Sequence, residues 1–465
     1  MQKIAVFGGS FSPLGLHHRL LIEKELVPLP DLDRIVVVPC GMRPDKVTTS
    51  FVPAIHRAAM VVMALEGIPK VEVDLSDLEN DTIFTPTIEL EHRYTTPDTE
   101  VWHVVGSDLI VGGARGQSAI QRSWRGGHEL WNKSQFIVLY RPDADISEAD
   151  LPPHHRLIKH DDIPTGASSE IREIIFNGKP FEHLVTPRVA DYIKRYGLYR
   201  GSAIGHTGVW MPPTDRPLSV ECFWNNHKRL ARQMAKDIGS HFPLTDKNPD
   251  FIVSLGGDGR LLQTIRENWH RRIPFLGLNV GHYGFLLNSP TTELNQHFTA
   301  FHLPMLHVEI HEVNGKVSHE VAFNDVWMER SGRSTAWIRV DVDGKKRITK
   351  LESDGILVAT PQGSSAYARS MGASPIPLNS QVLILVGNNV ARPGWRSAIL
   401  PTDSTICVTN LKPKFRPTRV VIDGSIEVTN VERIIVRRSN TAAVELLFDP
   451  ALDIGGKIVA AQFPA

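Results

Sequence analysis

Two apolar runs of this chain end in glycine-rich turns of different design, Gly8-Gly9-Ser10-Phe11 and Gly256-Gly257-Asp258-Gly259, about half a chain apart. A strand that stops in glycines lets backbone N–H groups approach a phosphate, and a helix starting there adds the positive end of its dipole. Two such turns imply two nucleotide sites on separate α/β units. The length of 465 residues allows this, since roughly 150 residues per domain predicts about two to four folding units. With 51 basic and 51 acidic side chains, no general nucleic-acid or membrane-surface binder is expected; a small anionic ligand needs only local positive charge. Cys40, Cys222 and Cys407 are isolated in sequence, without metal-ligand spacing, as reduced thiols would be. The N-terminus runs straight into a strand, and no stretch nears the roughly 20 apolar residues of a spanning helix. A soluble, cytoplasmic protein is therefore expected.

Over the first two hundred residues, strand-like runs at 4–7, 34–38, 71–74, 101–105 and 136–140 alternate with amphipathic stretches at 16–26, 53–66 and 83–94. That alternation predicts βαβ units and a largely parallel sheet, with ligands bound beyond the carboxyl ends of the strands. Residues 8–13 lie at such an end. His17 and His18 follow at the predicted helix start, where imidazoles can donate to a phosphate; alone, they would read equally well as two surface histidines.

The first segment resembles the GSF(D/N)Px(H/T)xxH motif of the nicotinamide or nicotinate mononucleotide adenylyltransferase family. Further segments follow in that family's order: Pro44, Asp45 and Lys46; His56 and Arg57; Gly106, Ser107 and Asp108; Trp131 with 136–142; Ser168, Ser169 and Arg172; and 187–199. The resemblance covers roughly residues 1–200. It implies an ATP and mononucleotide site at Gly8, Gly9, Ser10, Phe11, His17, His18, Lys46, Gly106, Asp108, Ser168, Ser169 and Arg172, with His18 catalytic. Two positions depart from the motif: Ser12 replaces Asp or Asn, and Gly15 replaces the first His or Thr. Either the neighbouring His17 supplies the missing donor, whose loss would cost about 10²-fold or more in rate, or the domain binds nucleotide without efficient catalysis.

Residues 201–220 contain several Gly and Pro and read as a linker or an atypical domain start. A helical pattern is predicted over 221–238, a strand over 251–255, a helix over 260–268 and a strand over 273–278. After Pro304, short alternating runs separated by Asn314-Gly315 and Asp343-Gly344 turns predict antiparallel strands. The expectation is an α/β lobe over 221–303 and a β-rich, sandwich-like lobe over 304–465 with a C-terminal return.

A Gly-Gly-Asp-Gly turn alone is shared by phosphofructokinases and lipid kinases, or simply caps a helix. Its context resembles NAD kinase over 221–465: Asn279 opens an NxGxxGFL-like segment, Asn324-Asp325 stands where that family has its ND/NE pair, 354–367 is close to DGxxxxTPxGSTAY, and 421–424 reads Val-Ile-Asp-Gly. The resemblance implies that Asp258 takes the proton of the adenosine ribose 2′-hydroxyl. It further implies that Gly257 and Gly259 leave space for the phosphates, that Asn279 belongs to the NAD and ATP site, that Asn324 and Asp325 hold the nicotinamide-side ribose, and that Asp354, Ser365, Ala366 and Tyr367 line the dinucleotide pocket. Gln362 stands where Ser or Thr is usual, and Tyr367 could instead fill a β-lobe core. His154, His155 and His160 read as a solvated loop and 412–416 as a charged turn.

The expected whole is a Rossmann-like nucleotidylyltransferase domain, then a NAD kinase domain. It would join ATP to nicotinamide or nicotinate mononucleotide and phosphorylate the resulting NAD, using Mg²⁺ with ATP and no metal cage of protein ligands alone. A homo-oligomer is expected. The rival readings are a monofunctional NAD kinase with a nucleotide-sensing or assembly module, and a lipid or sugar kinase.

Overall fold

The computed structural model describes residues 1–42, 52–80, 84–141, 144, 146–159, 163, 166–225, 227–281 and 284–463. They form two compact units, Met1–Ile204 and Gly205–Ala465.

In the first unit six strands form one sheet: β1 (Gln2–Gly9), β2 (Arg34–Pro39), β3 (Val71–Val73), β4 (Thr99–Gly106), β5 (Gln135–Leu139) and β6 (His155–Ile158). Their order is β3-β2-β1-β4-β5-β6, and every neighbouring pair is parallel. Successive side chains of a strand point to opposite faces. Ala5 and Phe7 of β1 accordingly enter one buried cluster with Ile35 and Val37, while Ile4 and Val6 enter another with Val36 and Val38. A sheet covered on both faces needs strands apolar almost throughout, and the four central residues of β1 are all buried. The order reverses between β1 and β4, so the crevice beyond their carboxyl ends is the topological switch point. The stretch predicted as one helix over 16–26 is a six-residue α-helix, Leu16–Leu21, continued by a π-helical turn, Ile22–Leu26.

The second unit contains β7 (Thr207–Trp210), β8 (Val220–Trp224), β9 (Phe251–Gly256), β10 (Phe275–Asn279), β11 (Phe298–Glu312), β12 (Val317–Ala322), β13 (Asp325–Arg330), β14 (Ala336–Val342), β15 (Lys345–Ser353) and β16 (Gly355–Ala359). β17 (Val382–Asn388), β18 (Ser397–Pro401), β19 (Ile406–Asn410), β20 (Thr418–Ile422), β21 (Ile426–Thr429) and β22 (Val431–Phe448) complete it. β8, β9 and β10 are parallel and form an α/β layer with the helices Arg229–His241 and Asp258–Asn268. An antiparallel sheet ordered β18-β17-β16-β13-β20-β21 faces strands of the larger sheet across a buried aliphatic core that includes Val326, Ile338, Ile356, Val408 and Ile434. This is the expected β-sandwich lobe.

Two expectations are corrected. Residues 220–224 are not helical: they pair in parallel with Phe251–Leu255 as an edge strand, and the helix starts at Arg229. The Gly- and Pro-rich segment before them contributes β7, which pairs with β11 and places Trp210 against Phe251 and Phe298, with ring centroids 5.1 and 5.8 Å away. The two lobes are also less separate than a boundary at 303/304 suggests. β11 runs through that point with only a register shift between Pro304 and Leu306, antiparallel to β22 throughout.

Candidate functional sites

A cleft of about 1450 Å³ lies at the β1/β4 switch point, lined by Gly8, Gly9, Ser10, Phe11, His17, His18, Gly106, Asp108, Ser168, Ser169 and Arg172 among others. Of the residues expected at this site, Lys46 lies outside the described residues, as do the motif positions Pro44, Asp45 and Pro142; His160 does too. Phe11, at φ +40°, turns the chain so that its ring packs edge-on against Phe7 and His18, each 5.4 Å away. The His17 and His18 ring centroids are 3.9 Å apart. Their Nε2 and Nδ1 atoms, respectively, are buried without a hydrogen-bond partner. Burial first, then the charge of Arg141, brings His17 down to about 4. Burial, His17 and Arg141 likewise push His18 well below the ordinary imidazole range. Both rings are neutral near pH 7, and each offers one N–H donor.

The other polar groups of the cleft divide into two sets. Ser168 Oγ donates to Pro13 O at 2.9 Å and Arg172 Nη1 to Ser12 O at 2.7 Å, so both fasten the turn behind the cleft. Ser12 faces inward: its hydroxyl and that of Tyr199 share a hydrogen bond at 3.1 Å. His56 is likewise a core group, 2.8 Å from the Tyr192 hydroxyl. Asp108, exposed, sits 3.5 Å from Arg141, a cation on the cleft wall.

In the second unit, Gly256 and Asn279 are register partners at the carboxyl ends of β9 and β10. Gly257 caps the helix that Asp258 begins. The Asp258 carboxylate accepts the backbone N–H groups of Phe285 at 2.7 Å and Leu286 at 3.0 Å, while Asn279 Oδ1 accepts that of Gly281 at 2.9 Å. His282 and Tyr283, between these two anchors, lie outside the described residues. Lys457, from the C-terminal helix, donates to the carbonyls of Gly284 at 3.2 Å and Leu287 at 2.6 Å, bracing the turn that orients Asp258. A buried cluster containing Leu261, Phe285, Leu286 and Phe323 joins this turn to the start of β13.

There, Asp423 gathers three backbone N–H groups, from Phe323 and Asn324 at 2.8 Å and Asp325 at 3.1 Å. Asn324 Oδ1 is buried without a partner. Burial, then the neighbouring Asp423, raises the Asp325 carboxyl to about 8. The Gln362 amide is engaged with the backbone, donating to Pro304 O at 3.0 Å and Phe323 O at 2.9 Å. A Cβ on Gly363 would stand 2.1 Å from Asn324 O, so only glycine permits this approach. Ser365 is half-buried beside this turn, with Ala366 and Tyr367 exposed. The Tyr367 ring stacks on Trp327 at 4.7 Å with planes 5° apart, so it does not fill a core. Asp354 stands apart from this group. It lies at the other end of β16 from Thr360, about 20 Å away at roughly 3.3 Å per residue, bonded to Arg330 at 2.5 Å and Asn389 at 2.9 Å.

Three family profiles match the chain: the ATP-NAD kinase N-terminal domain over 222–302, the ATP-NAD kinase C-terminal domain over 324–446, and a cytidylyltransferase-like domain over 6–174. The NAD kinase of Rickettsia bellii is 35% identical over 223 residues, which cover 47% of this chain and 87% of that protein. The chain belongs to the NAD kinase family. The NAD kinase of Xanthomonas oryzae pv. oryzae is 34% identical over 221 residues, covering 46% of this chain and 85% of that protein. Among solved structures, a yeast NADH kinase complexed with NADH aligns with a TM-score of 0.46 and 17% identity, covering 54% of this chain and 92% of that chain. Joined to the NAD kinase domains is the cytidylyltransferase-like domain that contains the His17–His18 cleft. Among the described residues no helix is long and apolar enough to cross a membrane.

Three residues that shape the NAD kinase and N-terminal sites escaped the sequence reading as site residues: Arg141, Asp423 and Lys457. Arg141 stood within a quoted family segment and Asp423 within Val-Ile-Asp-Gly, so each had a signal. Lys457 had none.

Proposed function

We propose that the chain is a bifunctional enzyme of NADP synthesis. In the N-terminal cleft a phosphate oxygen of nicotinamide mononucleotide attacks the α-phosphorus of ATP. The new P–O–P bond forms as the bond to the β-phosphate breaks, giving NAD and pyrophosphate. No protein nucleophile is required; positioning and stabilisation of developing negative charge suffice. His18, Arg141 and the open turn at Gly8 and Gly9 are the groups suited to that task. In the NAD kinase unit the adenosine 2′-hydroxyl oxygen attacks the γ-phosphorus of a second ATP, ADP leaves, and Asp258 accepts the hydroxyl proton. Asn324, with its unpartnered Oδ1, and Asp325 would take the other ribose.

The observation that carries this reading is one glycine turn in the cytidylyltransferase-like domain and another in the NAD kinase domains of the same chain; adenylyl transfer at the first would supply the substrate of the second. Nicotinate mononucleotide would leave an amidation between the two steps, so direct coupling favours the amide. Mg²⁺ would arrive on ATP, with Asp108 and Glu170 the exposed carboxylates among the described residues of the N-terminal cleft and Asp258 half-buried at the kinase turn; it would neutralise phosphate charge. Incubation with ATP, Mg²⁺ and each mononucleotide, followed by chromatography, tests the proposal. NADP and pyrophosphate from the amide substrate support it. NADP formed only from added NAD would favour a NAD kinase with a nucleotide-binding module, the reading to which the bonds of Ser168 and Arg172 to backbone carbonyls lend weight.

A further inference from the structure

Gly15 has an ordinary extended backbone, φ −78° and ψ 162°, which any residue adopts. Glycine is therefore not needed there for its conformational freedom. What it leaves is space: a Cβ at this position would meet His17 Cε1 at 2.6 Å, His17 Nδ1 at 2.7 Å and Ile171 Cδ1 at 2.8 Å. Gly166 also lies close to this ring: its Cβ would stand 3.0 Å from His17 Nδ1. The imidazole thus packs beside two glycines on the cleft wall, against His18, with Nε2 buried and unpartnered.

We infer that His17 is a second phosphate-contacting imidazole of the N-terminal cleft, seated there by Gly15, so that adjacent histidines rather than histidines three apart serve the anion. This rests on the adenylyl-transfer reading for its consequence in rate, but not for its geometry. The ring contacts a phosphate oxygen while His18 and Arg141 approach the same charge. Gly15 contributes only the space. A methyl group at 15 should act chiefly by displacing His17, because the Ile171 methyl it also meets is the free end of a flexible side chain that can yield, and with His17 removed it should add little.

The test uses the full chain and a double-mutant cycle read by pyrophosphate release, with phosphorylation of added NAD and thermal melting as controls for folding. His17→Ala and Gly15→Ala should each lower the rate by about 10²-fold, and the double variant should be no worse than either single one. His17→Asn, which keeps an N–H donor, should recover part of the loss. In parallel, inorganic pyrophosphate added to protein labelled with ¹⁵N-histidine should shift the His17 ring-nitrogen resonances in the wild type but not in Gly15→Ala. A shift without any pyrophosphate-releasing activity would leave the inference standing and remove adenylyl transfer. Full activity in His17→Ala, independent losses in the double variant, or an unmoved His17 resonance in an active wild type would overturn the inference.

Discussion

Asp423 accepts the backbone N–H of Asp325 at 3.1 Å, and the two carboxyl groups are buried together at the mouth of β13. Burial raises both groups, Asp325 to about 8, while the three backbone donors and the charge of Arg266 oppose the rise at Asp423. A carboxyl whose folded pKa exceeds its unfolded value binds its proton more tightly when folded. The stability it contributes is present below about pH 4 and is lost as the pH rises through about 8. Urea midpoints of the wild type should therefore fall between pH 5 and pH 9 more steeply than those of Asp325→Asn. Equal slopes would contradict the assignment.

Gly363→Ala places a methyl group against the backbone of Asn324, where no flexible side chain can yield. Loss of about 2 kcal/mol or more is expected from such overpacking. NAD phosphorylation should fall with it, because Asn324 must move. Denaturant unfolding and kinase assays on the same preparation check both effects.

Gln362→Leu keeps much of the side-chain volume but leaves the carbonyls of Pro304 and Phe323 without their donor. A cost of about 1–3 kcal/mol is expected. With Gln362 as a brace of those two carbonyls, the Km for NAD should change much less than the urea midpoint. The reverse pattern would make it a contact residue.

Tyr367 is 51% exposed and stacked on Trp327. Tyr367→Ala should cost only about 0.5–1.5 kcal/mol of stability while raising the Km for NAD. A large stability loss with an unchanged Km would mark it as a packing residue instead.

The parts of this fold legible in the sequence are those with a local cause. The alternating run that ends at the Asp343-Gly344 turn is β14 because one face is buried and the other wet, and the alternation Ala336, Ile338, Val340, Val342 is the direct trace of that. The glycine turns were legible because close backbone approach needs glycine. β8 was not, since an edge strand with only Val220 fully buried lacks a clean period. The start of β11 was hidden because its apolar run crosses from one lobe into the other. Lys457 and Asp423 act on backbone atoms about a hundred residues or more away, and such contacts leave no pattern around either residue. The seat of His17 was half legible: the neighbour of the missing side chain was in view, but not that its ring occupies the vacated space.

The central claim is that one chain makes NAD and then phosphorylates it. The most direct measurement is product analysis of the wild type, Asp258→Asn and His18→Ala proteins with ATP, Mg²⁺ and nicotinamide mononucleotide. The wild type should yield pyrophosphate and NADP, Asp258→Asn should stop at NAD with pyrophosphate still released, and His18→Ala should form NADP only when NAD is supplied. Absence of both pyrophosphate and NAD in the wild-type reaction, with added NAD still phosphorylated, would contradict it.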